Sequence, residues 1–124
     1  MVRKANQKQV EHKPAPFNGT GDITVRHLLN GPEEMYDRGR VFAHSTLAPG
    51  CAIGYHVHTN ESETYYIYSG SGEFNDNGTA VPVSAGDVTF TGAGEGHALK
   101  NTGDVPLEFI ALILYRQDAP DAAE

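Results

Sequence analysis

Three histidines and one glutamate stand out in this chain because their types and spacing suit a metal ion. His56 and His58 occupy alternate positions, Glu63 follows shortly after them, and His97 lies farther along the chain. Imidazole nitrogens combined with one carboxylate oxygen suit Mn²⁺, Fe²⁺, Co²⁺ and Ni²⁺, and also Zn²⁺ in a contracted shell. The sequence therefore predicts one divalent metal ion per chain, with open coordination positions for substrate, water or O₂.

Strand periodicity explains how these four side chains could meet. Residues at i and i+2 of a strand point to the same face, so His56 and His58 can aim at one point. A turn over residues 59–62 would reverse the chain and bring Glu63 in from a facing strand. His97 must then come from a separate strand, because a coordination shell needs ligands from several directions.

The elements that carry these residues are predicted to be short strands. From Ile23 onward, β-rich runs alternate with Gly, Pro, Asn and Asp residues that favour turns. Asp76-Asn77-Gly78 is the strongest hairpin signal, and residues 32–36 could form a single helical turn. The predicted strands are Thr24–Leu29, Val41–Leu47, Ile53–His58, Glu63–Ser69, Gly72–Asn75, Ala80–Val83, Asp87–Thr91, His97–Asn101 and Leu107–Tyr115.

Two segments of the chain resemble the two sequence motifs of the cupin superfamily. The positions that match the first motif are Gly50, His56, His58, Glu63 and Gly70. The positions that match the second motif are Gly86, Gly94, His97 and Asn101, while Gly92 stands where the family usually has proline. The resemblance implies an all-β, single-domain cupin double-stranded β-helix, a jelly-roll barrel. More narrowly, the chain is similar to small bacterial single-domain cupins of the type often labelled oxalate-decarboxylase-like.

The length of 124 residues fits one domain. Residues 1–18 are polar and are predicted to form an N-terminal arm, either loose or as an extended entry strand. Residues 19–118 would form the cupin barrel, and residues 119–124 a C-terminal tail.

The charge distribution argues against nucleic acid and membrane partners. The formal net charge is −7, and the arm holds four of the nine basic residues: Arg3, Lys4, Lys8 and Lys13. The remaining body is acidic and would repel nucleic acid and anionic lipid, so a small molecule is the expected ligand. Cys51 is the single cysteine and there is no apolar run of signal or membrane-span length, which favours a cytoplasmic location.

A substrate pocket is predicted from strand parity. Tyr65 and Ile67 share the parity of Glu63 and should face the barrel interior, where Tyr65 could orient or protonate a substrate. His44 is a candidate general base if its face of the strand is inward. Both residues also fit ordinary roles, in packing for Tyr65 and in a simple hydrogen bond for His44. The predicted apolar wall comprises Phe42, Ile67, Phe90 and Leu99.

Several other side chains are predicted to lie around the site without binding the metal ion. Glu61 is interpreted as either a solvated turn residue or a partner of a metal ligand. Glu95 is placed at the rim, and His27 and Tyr36 could cover the opening. Cys51 is expected to face away from the ligands.

The apolar faces of two strands predict a homodimer. On the first motif strand, Ile53, Tyr55 and Val57 are expected to point away from the ligands, and this set is too apolar for bare solvent. Leu107–Tyr115 is apolar on both faces apart from Glu108, a pattern typical of strands that are covered on both sides.

Three functions remain open at this point. The favoured one is metal-dependent lyase, decarboxylase or isomerase chemistry on a small carboxylate or sugar-like substrate. An iron-dependent dioxygenase and a non-catalytic, metal-dependent binding module are the alternatives. Oxalate decarboxylases carry an arginine three residues before the first motif histidine, and this chain has Ile53 there.

Overall fold

A computed structural model describes residues 1–117 of the chain. Within this range the secondary structure consists of strands and three single 3₁₀ turns, at Ala5–Gln7, Pro16–Asn18 and Pro32–Met35. None of the helical segments in this range is long and apolar enough to cross a membrane. The strands are β1 (Val10–Pro14), β2 (Asp22–Leu29), β3 (Gly39–Leu47), β4 (Ala52–Val57), β5 (Glu61–Ser69), β6 (Ser71–Asp76), β7 (Thr79–Ser84), β8 (Val88–Thr91), β9 (Gly96–Asn101) and β10 (Leu107–Tyr115).

The strands form two antiparallel sheets. The larger sheet has the order β1-β2-β3-β10-β5-β8, and the smaller has the order β4-β9-β6-β7. Apolar side chains from both sheets fill the space between them, including the fully buried Leu47, Ile67, Leu107 and Phe109. This is the double-stranded β-helix predicted from the sequence, and its interior is where the two sheets bring the motif residues together.

All nine predicted strands are present, with boundaries within two residues of the expected ones. The predicted hairpin turn is formed between β6 and β7, where Asn77 and Gly78 have φ values of 51° and 99°. The turn before Glu63 is shorter than predicted, because β5 already begins at Glu61.

The N-terminal arm is not loose. Residues Val10–Pro14 form β1, which pairs antiparallel with β2 along the register Val10↔Arg26 to Pro14↔Asp22. The arm therefore extends the larger sheet by one edge strand, in agreement with the extended alternative. The predicted tail at 119–124 lies outside the described residues.

The face of β3 that carries Phe42 and His44 points outward. The alternate residues Ala43, Ser45 and Leu47 are 0–3% exposed and face the interior. Phe42 and His44 therefore lie on the outer surface of the larger sheet. Phe42 cannot be part of the pocket wall, and His44 cannot be the base beside a metal ion.

A β-bulge in β4 changes the parity on which another expectation depended. The pairing of β4 with β9 shifts register between Ile53 and His56. Ile53 is consequently buried on the same side as His56, while Tyr55 and Val57 are 49% and 56% exposed. The prediction that Ile53 points away from the ligands is wrong, because an extra residue in one strand reverses the alternation.

Candidate metal centre

Four side chains converge at one end of the barrel interior. His56 on β4 lies directly opposite His97 on β9, and His58 follows immediately after β4. Glu63 projects from β5 in the other sheet. His58, Glu63 and His97 are 4%, 7% and 0% exposed, so the cluster is shielded from bulk water on most sides.

The donor atoms of this cluster have the spacing that a single ion requires. The Nε2 atom of His97 lies 3.1 Å from Nε2 of His58 and 3.2 Å from Nε2 of His56. Oε1 of Glu63 lies 2.9 Å from His58 Nε2 and 3.1 Å from His97 Nε2. Donor atoms bound at about 2.1 Å and at right angles around one ion lie about 3 Å apart. His56, His58, Glu63 and His97 could therefore hold one metal ion.

Each histidine is fixed through its other ring nitrogen. Nδ1 of His56 donates a hydrogen bond to the carbonyl of Gly54 at 2.8 Å. Nδ1 of His58 donates to the Glu61 carboxylate at 2.8 Å, and Nδ1 of His97 hydrogen-bonds with the Thr91 hydroxyl at 2.8 Å. With a proton held at Nδ1, Nε2 can give up its own proton to a base and present a lone pair to a metal ion.

Glu61 is the partner of a candidate metal ligand rather than a solvated turn residue. Its carboxylate accepts two hydrogen bonds from the Arg40 guanidinium, at 2.8 and 2.7 Å, in addition to the one from His58. The hydrogen bonds from Arg40 lower the pKa of the Glu61 carboxyl, with a smaller contribution from His58. The anchored carboxylate therefore stays ionised and holds the His58 ring in one orientation.

Electrostatic interactions within the cluster keep Glu63 charged. Burial alone would raise the pKa of the Glu63 carboxyl, but hydrogen bonds from His58 and His97 outweigh it and lower the pKa to about 2. The same hydrogen bond to Glu63 raises the pKa of His58, while desolvation lowers the pKa of His56. A buried carboxylate among three imidazoles is the charge arrangement expected of a cation site.

Tyr65 faces the interior as predicted and lies beside the cluster. Its ring stacks on His97 with 5.2 Å between centroids, and its hydroxyl donates to Glu63 at a long 3.4 Å. Burial, with the nearby Glu63 carboxylate, raises the pKa of the Tyr65 phenol well above its usual value of 10.0. The phenol therefore remains protonated at neutral pH and can act as a hydrogen-bond donor.

The N-terminal arm contributes a wall that is not evident from the sequence. The 3₁₀ turn after β1 places the ring of Phe17 parallel to that of His56, at 3.7 Å between centroids. Phe17 has a φ of 51°, an uncommon backbone conformation for a bulky residue. The turn packs directly on β4, where a Cβ at Gly54 would lie 1.9 Å from the Phe17 carbonyl oxygen. Glycine at 54 is thus needed for this close approach.

The loop of the second motif is tied to the first motif by backbone hydrogen bonds. Gly94 donates to the carbonyl of His58 at 2.7 Å, and His58 donates to the carbonyl of Glu95 at 3.1 Å. Within the loop, the Gly92 amide donates to the Glu95 carboxylate at 2.7 Å. A proline at position 92 would have no N–H for this hydrogen bond. Glycine at this position therefore allows the Glu95 carboxylate to hold the loop.

A cavity of about 130 Å³ opens beside the four candidate ligands and extends into the barrel. His56, His58, Glu63 and Tyr65 line one end, and Phe17 and Lys13 from the arm lie at the edge. His27 also lines this cavity, and its Nε2 donates a hydrogen bond to the Glu11 carboxylate at 2.6 Å. Tyr36 is 89% exposed and does not line it.

The other predicted wall residues are placed differently. Ile67 and Leu99 are 0% and 1% exposed and pack in the core, outside the lining of the cavity. Phe90 is 63% exposed on the outer face, because Thr89 and Thr91 take the inward positions of β8. The prediction of Phe90 as pocket wall is wrong, since the polar residues of β8 face inward and the apolar ones outward.

His44 belongs to a separate polar group on the outer face. Its Nε2 atom lies 2.8 Å from the Glu108 carboxylate and also contacts the Tyr68 hydroxyl. Arg26 donates to the neighbouring Thr46 at 2.9 Å. This outer-face network has no contact with the cavity.

Comparison with known proteins agrees with the fold and the site. A model of the cupin domain matches residues 43–113. The chain is 48% identical over 114 residues to an oxalate-binding protein of Thermotoga maritima, covering 92% of this chain and 93% of the relative. The protein described here belongs to the cupin family.

Solved structures show the same architecture. A crystal structure of a predicted oxalate decarboxylase from Thermotoga maritima superposes with a TM-score of 0.88 at 43% identity, covering 93% of this chain and 99% of that one. The KdgF protein of a Halomonas species shares the fold alone, with a TM-score of 0.73 at 15% identity over 95% of this chain and 96% of that one.

Proposed function

We propose that this protein binds one divalent metal ion and, through the ion, a small carboxylate. The observation that carries the proposal is the set of three imidazoles, each fixed through Nδ1, whose Nε2 atoms converge with a Glu63 oxygen at 2.9–3.2 Å. The oxalate-binding relative supports a carboxylate as the ligand class. Mn²⁺, Fe²⁺, Co²⁺, Ni²⁺ and Zn²⁺ all suit the donor set.

The ion and a basic side chain at the edge of the cavity both suit an anionic ligand. When bound, the ion would supply Lewis acidity at the ligand oxygens. Lys13 lies at the edge of the cavity, and its closest carboxylate, that of Glu11, is 3.9 Å away. Because that ion pair is long and exposed, Lys13 can turn toward an incoming anion at little cost.

Turnover of the bound acid by lyase, decarboxylase or isomerase chemistry is a second candidate, and Tyr65 favours it. The phenol lines the cavity, is protonated at neutral pH and touches Glu63. In a decarboxylation of the oxalate dianion, the C–C bond breaks, one carboxylate leaves as CO₂ and the remaining carbon takes up a proton to give formate. Tyr65 would be the group that delivers this proton and would regain one from water. Ile53 lines the cavity at the position where oxalate decarboxylases carry arginine, so this chain lacks the positive charge of that arginine beside a bound acid.

Calorimetric titration of oxalate tests the proposal. Protein loaded with Mn²⁺ should bind oxalate at one site per chain, whereas protein stripped with a chelator should show no binding. The His44→Ala variant is the matched control and should bind as the wild type does. Metal-loaded protein that shows no heat with oxalate or any other small carboxylate would overturn the proposal.

The same samples separate binding from turnover. Formate and CO₂ in the metal-loaded sample, lost in Tyr65→Phe while oxalate still binds, would establish the catalytic candidate. Unchanged oxalate after prolonged incubation would leave the binding function alone.

We also propose that the chain forms a homodimer through the outer face of the larger sheet. Tyr66, Val88 and Phe90 are 45–63% exposed and adjoin one another, with Tyr66 opposite Val88 in the sheet. A second copy would remove this apolar surface from water. Light scattering on a sizing column should give twice the mass of the chain, and Phe90→Glu should reduce it to the mass of one. A wild-type mass of one chain at high concentration would contradict the dimer.

The proposed compartment is the cytoplasm. Cys51 is the single cysteine and is free, so the fold does not depend on an oxidising environment. Cell fractionation with an antibody against the chain would test this location.

A further inference from the structure

The cavity beyond the metal centre has the wrong character for oxalate alone. Past the four ligands, its walls are formed by apolar side chains from both sheets, among them Ile23, Val25, Ile53 and Phe109. Oxalate is two carboxylates joined by one bond, so it would be held entirely at the metal end. The apolar portion of the cavity would then be left to water, which gains nothing from such walls.

One hydroxyl interrupts this apolar surface. Ser45 is 3% exposed and lines the cavity, with Val25 and Phe109 as its neighbours in the sheet. Across residues 1–117, no protein group hydrogen-bonds with the Ser45 side chain. Because the side chain lines the cavity, its hydroxyl is available to donate a hydrogen bond to a ligand there.

Ser45 lies at the end of the cavity away from the metal centre. In the sheet register Glu63 aligns with Ile113 and then with Val41, and Ser45 is four residues farther along β3 than Val41. Four residues of strand extend about 13 Å. A ligand that binds at Glu63 and also reaches Ser45 must therefore carry a chain between its two polar ends.

We propose that the cavity takes a metal-chelating carboxylate extended by a short apolar chain, a 2-oxo or 2-hydroxy acid larger than oxalate. Ser45 donates a hydrogen bond to an uncharged oxygen at the far end of this chain. The inference rests on the proposed function, because the chelating end needs the metal ion. It adds a substrate class and a specificity-determining residue to that function.

Four probe acids separate the contributions of the two ends. Oxalate offers the chelating end alone, and 2-oxoheptanoate adds an apolar chain. In 2,6-dioxoheptanoate the chain also carries an uncharged oxygen near its far end, too distant to join the chelate ring, and in 2-oxoheptanedioate it ends in a second charge. Affinities are measured by calorimetry on Mn²⁺-loaded wild type, on Ser45→Ala and on Thr46→Ala, the neighbour whose side chain bonds Arg26 on the outer face.

The expected order in the wild type places 2,6-dioxoheptanoate first, then 2-oxoheptanoate, then oxalate, with about tenfold between the first and last. 2-Oxoheptanedioate should bind less tightly than 2,6-dioxoheptanoate, because removing its terminal carboxylate from water costs more than removing a ketone oxygen. Ser45→Ala should weaken 2,6-dioxoheptanoate by about three- to tenfold and leave oxalate unchanged. Thr46→Ala should alter none of these values.

The possible failures can be told apart. Oxalate binding that equals or exceeds that of both extended acids, with no effect of Ser45→Ala, would overturn this inference and leave the proposed function standing. Metal-loaded protein that binds none of the four acids would overturn both.

Discussion

Two groups of histidines in this small barrel have opposite surroundings. Inside, His56, His58 and His97 each hold an Nδ1 partner and direct Nε2 to a common point. Outside, His44 has its Nε2 atom already engaged by Glu108 and Tyr68. The residue type is the same, but the inner histidines use Nδ1 for their partners, whereas His44 uses Nε2. Histidines that bind metal ions usually have their second nitrogen fixed by another group, which leaves the first one available.

The largest effect should come from removing an inner histidine. His58→Ala deletes one donor of the cluster and should weaken binding of Co²⁺ by more than about a hundredfold, while the β-sheet circular dichroism spectrum is kept. A competition titration with a coloured chelator measures the affinity. His44→Ala, the matched outer substitution, should leave the affinity unchanged. Equal losses in the two variants would contradict the distinction between the inner and outer groups.

The second effect concerns the carboxylates that hold each histidine. Glu61→Ala removes the partner of His58 Nδ1 and should weaken metal binding by about 10- to 100-fold, because the ring loses its fixed orientation and tautomer. Glu108→Ala removes the equivalent partner of His44 and should have no effect on the same titration. Full metal affinity in Glu61→Ala would show that the carboxylate does not position the ligand.

A smaller effect is expected from the stacked ring of the arm. Phe17→Leu removes the parallel contact with His56, and about 0.5–1.5 kcal/mol is typical of such aromatic pairs. This corresponds to a metal affinity roughly 2- to 10-fold lower, measured by the visible absorption of Co²⁺. The control is Phe90→Leu, which changes an exposed ring on the outer face. An unaltered Co²⁺ spectrum and affinity in Phe17→Leu would assign the ring to packing alone.

The smallest effect is a pH dependence of the outer group. Hydrogen bonds from His44 and then Tyr68, together with the charge of Arg26, lower the pKa of the Glu108 carboxyl below its usual 4.5. The stability this carboxylate contributes is therefore present above pH 4.5 and is lost as the pH falls through the lowered pKa. The network is partly exposed, so the contribution should stay below about 1 kcal/mol.

Chemical denaturation measures this contribution. The difference in unfolding free energy between wild type and Glu108→Gln should shrink as the pH is lowered from 6 to 3. A difference that is constant over this range would show that the Glu108 carboxylate is not stabilised by its neighbours.

The sequence is sufficient to predict which candidate ligands meet, because their spacing reflects both the strand alternation and the two motif turns. His56, His58, Glu63 and His97 lie together as this spacing predicts. For Glu61 the sequence leaves two roles open, a solvated turn residue or a partner of a metal ligand. The choice depends on the hydrogen bond from Arg40, a residue that is distant in the chain and close in space.

The errors have physical causes as well. The bulge between Ile53 and His56 turns Ile53 to the side of the sheet opposite to the one expected. This bulge is visible only in the pairing of β4 with β9. On β8 the threonines face inward and Phe90 outward, so apolar character was a poor guide to the inner face. Phe17 was missed because nothing in its type indicates a left-handed backbone conformation.

The most direct test of the metal centre is the metal content of the purified protein. Cells are grown with Mn, Fe, Co, Ni and Zn supplied together, and the protein is measured by inductively coupled plasma mass spectrometry. About one ion per chain is expected, and iron would direct attention to oxygen-dependent chemistry. Protein that carries no metal from this medium would show that the cluster of His56, His58, Glu63 and His97 is not a metal site.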